Sequence, residues 1–162
     1  MSVSYYLLSK GQLPEMGCCC MDKIDIVKEW LDFATKDIGS AKYLLDMRPA
    51  PLAIICYHCQ QAAEKTLKGY LIHQDIEPPR THNLGILCSM CMDIDKAFDE
   101  LIVPCGRLTL YGVQPRYPYE IQISDSDMQT AINDADGVMN FVLQRLRLTE
   151  DVTYDIDEKD RT

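Results

Sequence analysis

Apolar and polar residues alternate along most of this chain with helical periodicity. In residues 52–74, Leu52, Ile55, Cys59, Ala62, Thr66 and Tyr70 recur at the three- and four-residue spacing of one helix face. His58, Gln61, Lys65 and Lys68 recur at the same spacing on another face. Glu64 precedes Lys68 by four residues, the favourable order for a helical ion pair. Upstream, residues 23–47 carry an apolar stripe of Ile26, Trp30, Phe33, Ile38, Ala41 and Leu44–Leu45, with Lys28, Glu29, Asp32, Lys36 and Asp37 largely outside. Arg48-Pro49-Ala50-Pro51 stops this first helix, because each proline disfavours helical backbone in the residue before it.

Residues 75–82 are expected to form a loop fixed by Pro78-Pro79. A third helix is expected from His82 or Asn83 to about Ile102, with Asn83 as N-cap and Leu84, Leu87, Cys91, Ile94, Phe98 and Leu101 buried. Pro104-Cys105-Gly106 should break it. Residues 107–123 read as a short helical turn and then an extended loop. Ser124 with Asp127 three residues later marks the start of a fourth helix, running to about Leu148 with Met128, Ala131, Ala135, Val138, Val142 and Leu146 on its stripe. No stretch alternates like a strand. The expected fold is therefore all-α, an antiparallel bundle of four long helices plus a short fifth helix or turn.

Composition changes this picture at the two ends. Gly11, Pro14, Gly17 and the Cys18-Cys19-Cys20 run follow no helical logic, so residues 1–21 read as an N-terminal extension, either upstream of a natural start at Met21 or an ordinary ordered arm. Residues 22–148 form the bundle, and the acid-rich residues 149–162 form a polar tail. A net charge of −9 disfavours sequence-independent binding of nucleic acid and leaves room only for a local basic site. No apolar run is long enough to span a bilayer and the start makes a poor signal peptide, so a cytoplasmic protein is expected. There, the eight cysteines are thiols or metal ligands before they are disulfides. Cys56-x-x-Cys59 and Cys88-x-x-Cys91 have the spacing of a zinc site, but they fall inside amphipathic helices, where that spacing is the core spacing and cysteine acts as a small hydrophobe. No metal or other cofactor is expected. No nucleophile with an adjacent base, no phosphate loop and no nucleotidyltransferase carboxylate pattern is visible.

Three segments carry a family resemblance. Gln60-Gln61-Ala62-Ala63-Glu64-Lys65-Thr66-Leu67-Lys68, then Pro78-Pro79-Arg80-Thr81-His82-Asn83-Leu84, resemble the HEPN domain family. Tyr111-Gly112-Val113-Gln114-Pro115-Arg116-Tyr117-Pro118 is similar to its Tyr-to-Arg-Tyr-Pro segment, and Trp30 with Ala41-Lys42-Tyr43-Leu44-Leu45 also fits. The resemblance implies a bundle of four or five helices, a homodimer, and cooperation with a separate nucleotidyltransferase. It also implies a nucleotide-binding role. Ribonuclease branches of the family carry Arg-x(4–6)-His, which this chain lacks: its histidines are His58, His73 and His82, and none follows an arginine at that spacing. A non-catalytic binding module, of the kind found in toxin–antitoxin-like pairs, is thus expected over a ribonuclease using Arg80 and His82. The candidate anion or nucleotide contacts are Lys65, Lys68, Arg80, His82, Arg116 and Tyr117. Arg80 and His82 sit where a loop becomes a helix, whose free N–H groups favour anions. Arg116 lies among tyrosines able to stack a base. The same residues can equally serve as loop fasteners and solvated charges.

Overall fold

The computed structural model describes residues 22–112 and 122–146. The expected N-terminal extension, the acidic tail and the end of the last helix at Leu148 lie outside the described residues. Among the described residues the secondary structure is entirely helical: α1 (Lys23–Tyr43), α2 (Leu52–His73), α3 (Leu84–Ile94), α4 (Ile102–Thr109) and α5 (Asp125–Leu146). Short 3₁₀ segments extend α1 (Leu44–Asp46), join α3 to α4 (Lys96–Leu101) and follow α4 (Leu110–Gly112). The all-α expectation holds. The third helix, expected to reach about Ile102, instead ends at Ile94 and passes into the 3₁₀ segment, and the short α4 begins where it was expected to stop.

The break after α3 falls at Asp95. Asp95 leaves helical geometry, and its carboxylate accepts from the Ala97 N–H at 3.0 Å and from Arg145 Nε at 2.8 Å. Pro104 does not break the chain as expected. It falls in the first turn of α4, where its missing N–H has no partner to lose. The expected caps are both present. Asn83 Oδ1 accepts from Ile86 N–H at 3.2 Å. Ser124 and Asp127 form a reciprocal pair, Ser124 N–H donating to Asp127 Oδ2 at 2.9 Å and Asp127 N–H to Ser124 Oγ at 3.2 Å.

α2 is the central helix and touches every other one. Its apolar face does hold Ile55, Cys59, Ala62, Thr66 and Tyr70, but burial goes far beyond that stripe: Cys56, Gln60, Ala63, Glu64, Leu67, Lys68 and Leu71 are buried as well. α5 buries the predicted Met128, Ala131, Ala135, Val138, Val142 and Leu146. α1 runs antiparallel to α2, with Lys23 paired to Asp75 near one end and Asp37 paired to His58 further along. Its buried edge is Val27, Leu31, Ala34, Ile38 and Ala41. Ile38 and Ala41 are buried as expected, but the first half of the expected stripe is offset by one residue, so Phe33 is 48% exposed and Ile26 and Trp30 only part-covered. Small Ala34 and Ala41 let the helices approach closely, and the bulkier series is left along the rim.

Cys56, Cys59, Cys88, Cys91 and Cys105 are free and buried. Burial pushes the Cys56 thiol up to about 11 and the Cys59 and Cys91 thiols up to about 12, so they stay protonated near neutrality. They act as core side chains. No three His, Cys, Asp or Glu side chains gather into a metal-ligating group among the described residues.

Candidate functional site

A buried polar centre joins two of the sequence segments singled out above. Gln60, Glu64 and Lys68 follow one another at four-residue intervals and so stack along one line of α2. The Glu64 carboxylate, 6% exposed, accepts from Lys68 Nζ at 2.8 Å and from Gln60 Nε2 at 2.9 Å. His82 Nδ1 lies 3.1 Å from the same carboxylate. Gln60 Nε2 also donates to the His82 carbonyl at 3.2 Å, and Gln61 Nε2 donates to Gln60 Oε1 at 2.7 Å. The loop that ends at His82 is thus sewn to α2 through side chain and backbone.

The third segment meets this centre at Gly112. A Cβ built there would stand 3.1 Å from the Gln60 amide, so any larger residue would force a shift. Glycine at 112 therefore lets the backbone lie against Gln60. Arg116 and Tyr117 lie outside the described residues.

Burial pushes the Glu64 carboxyl up, but the hydrogen bonds from Lys68, Gln60 and His82 outweigh it and hold the group below its ordinary value of 4.5. A carboxyl with a depressed folded-state pKa stabilises the fold above its unfolded value, and that contribution is lost as pH falls through the folded one. The urea midpoint is therefore expected to drop on acidification below about pH 4.5. Glu64→Gln should flatten part of that dependence; an unchanged pH slope would show that Glu64 does not carry it.

His82 is oriented by this contact. An ionised carboxylate only accepts, so the imidazole Nδ1 carries the proton and Nε2 is left for other partners. The His82 side chain is 65% exposed although Glu64 is buried. Lys65 is placed differently from Lys68. It pairs with Asp37 of α1, which also bonds His58 Nδ1 at 3.0 Å. Asp37, expected to face outward, is 14% exposed and binds α1 to α2. The polar row of α2 is thus engaged internally: His58 and Lys65 on Asp37, Gln61 on Gln60, Lys68 on Glu64.

Arg80 is the exception. It is exposed and makes no hydrogen bond or ion pair among the described residues. It lines a groove of about 540 Å³ together with Lys23, Ile26, Trp30, Lys68 and Pro78-Pro79. The start of α3 is less free than the sequence suggested: Leu84 N–H donates to Thr109 Oγ1 at 3.1 Å and Ile86 N–H to Asn83. An anion would meet the Arg80 guanidinium rather than a row of helix N–H groups. Sequence reasoning missed the structural parts of Gln60, Asp37 and Gly112. The four-residue ladder Gln60–Glu64–Lys68 was a readable signal for the first; nothing local signalled the other two.

A family model, HEPN domain, matches residues 27–146. No curated protein matches. Among solved structures, the chain is similar to TT1696 from Thermus thermophilus, at 22% identity and a TM-score of 0.63, covering 74% of this chain and 97% of that one. It is also similar to ST0689, an archaeal HEPN homologue, at 24% identity and a TM-score of 0.59, with the same two coverages. At these identities the two structures establish the shared fold.

Proposed function

The chain belongs to the HEPN domain family, and within it we propose a non-catalytic module that binds a nucleotide or similar anion and cooperates with a separate nucleotidyltransferase. The observation that carries this reading is the exposed, unpartnered Arg80 guanidinium beside a groove, next to a polar centre that holds its loop. Guanidinium groups grip phosphate through paired donors, and the loop's attachment to Gln60 and Glu64 keeps Arg80 in place before a ligand arrives. Lys68 supports the site by neutralising Glu64. Lys65 holds α1 and reaches a ligand only by leaving Asp37. Arg116 and Tyr117, which follow Gly112 in sequence, are the further contacts of the same ligand in this reading. In this reading the protein works as a homodimer in the cytoplasm, as one half of a toxin–antitoxin-like pair, and any metal-dependent transfer is performed by the partner's carboxylates.

Calorimetric titration with AMP is expected to show saturable binding that Arg80→Ala weakens at least tenfold with the melting temperature unchanged. Equal binding by the variant removes Arg80 from the site, and no binding by the parent protein overturns the reading. A pull-down that recovers a nucleotidyltransferase supports the partnership. A ribonuclease is the second reading, favoured by the exposed His82 imidazole held on Glu64. It requires cleavage of tRNA or mRNA by the pure protein, abolished by His82→Ala.

A further inference from the structure

We propose that the groove between the start of α1 and the end of α2 seats the ring of a purine nucleoside monophosphate against Trp30, with its phosphate on Arg80. This placement rests on the nucleotide-binding reading above and assigns that ligand a location and a charge.

The groove, about 540 Å³, lies within the size range of small-molecule sites. Its walls are mostly apolar: Ile26 and Trp30 from α1, Ile72 from α2, and Ile76 with Pro78-Pro79 from the loop. Such walls suit a flat, largely apolar body. Trp30 is part-buried, which leaves ring surface available while the rest is held. Lys68 Nζ, itself tied to Glu64, stands 5.8 Å from the Trp30 ring centroid, within cation–π reach of the indole. An aromatic side chain in an apolar cleft is a stacking platform for a base.

Charge then selects the phosphate. Lys23 is paired with Asp75 at 2.9 Å and Lys68 with Glu64 at 2.8 Å, so both lysines at the groove are already neutralised. Arg80 is open, and Glu77 also lines the groove with no partner among the described residues. The one free guanidinium receives a single phosphate, while the Glu77 carboxylate repels further negative charge. This disfavours a triphosphate chain, and Glu77 offers an acceptor to an amino group on the ring.

Trp30 is the chain's single tryptophan, so indole fluorescence reports the surroundings of this one side chain. Titrating the full chain with AMP is expected to change Trp30 emission saturably, with the same midpoint as the calorimetric heat. Adenosine should give the same spectral change at roughly tenfold higher concentration or more, ATP should bind no tighter than AMP, and inorganic phosphate should give no change. In Arg80→Ala, the AMP midpoint should rise to that of adenosine while the adenosine midpoint stays put, a pattern that mere loosening of the fold would not produce. AMP heat without any change in Trp30 emission overturns the groove and leaves the nucleotide module standing. Absence of both heat and emission change overturns the two together. An emission change by phosphate equal to that by AMP overturns the stacked ring.

Discussion

Glu64→Ala is expected to destabilise the bundle by about 3–5 kcal/mol, the range for removing one partner of a buried ion pair. Lys68 has a side chain only 11% exposed and would be left as a buried ammonium facing no carboxylate. Gln60 and His82 would lose the same acceptor. At roughly 2–4 °C per kcal/mol for a chain of this size, the melting temperature should fall by about 10 °C. The penalty arises from the orphaned charge more than from a lost attraction. A double variant, Glu64→Leu with Lys68→Met, should therefore recover much of the stability, since apolar groups of similar volume replace the pair. Thermal unfolding of the three proteins checks this. A fall of less than about 1 kcal/mol in Glu64→Ala would mean that the pair behaves like a solvated surface pair.

Phe98→Ala is expected to cost a comparable amount, about 3–5 kcal/mol, by opening a cavity where three elements meet. Phe98 is fully buried in the 3₁₀ segment after α3. Its ring centroid lies 4.6 Å from that of Tyr70 on α2 and 5.0 Å, edge-on, from that of Phe141 on α5. Arg145 covers the Phe141 ring, with its guanidinium carbon 3.3 Å from the centroid, and bonds Asp95 at the break that precedes Phe98. The aromatic cluster thus holds a segment whose own 3₁₀ geometry supports it weakly. Urea unfolding should show a lower midpoint with unchanged slope. A loss below about 1.5 kcal/mol would indicate that neighbours collapse into the space, as the best-tolerated core changes do.

Much of the fold was legible because the forces that start and stop helices act over a few residues. Asn83, Ser124 and Asp127 cap where their spacing says they should. α2 and α5 face the core along the stripes their sequences trace. Two readings failed for one shared reason. In α1, Ile26–Trp30–Phe33 and Val27–Leu31–Ala34 are both apolar series at helical spacing, and only the approach of α2 decides which edge is covered. In the third helix, the continuous apolar pattern from Leu84 to Leu101 hides a break that Asp95 makes with Arg145, fifty residues away.

The candidate site divides along the same line. The four-residue spacing of Gln60, Glu64 and Lys68, the double proline before Arg80, and the family resemblance were all present in the chain by itself, as was the all-helical class. Which cations stay open was not. Lys65, Lys68 and Arg80 are alike as isolated cationic side chains, and helical spacing could assign Lys68 a partner only within its own helix. The tertiary structure placed Asp37 against Lys65, buried Glu64 between Lys68 and His82, and left Arg80 facing a groove beside Trp30. Periodicity and capping depend on neighbours along the chain, whereas the neutralisation of a charge depends on what packing brings within a few ångströms of it.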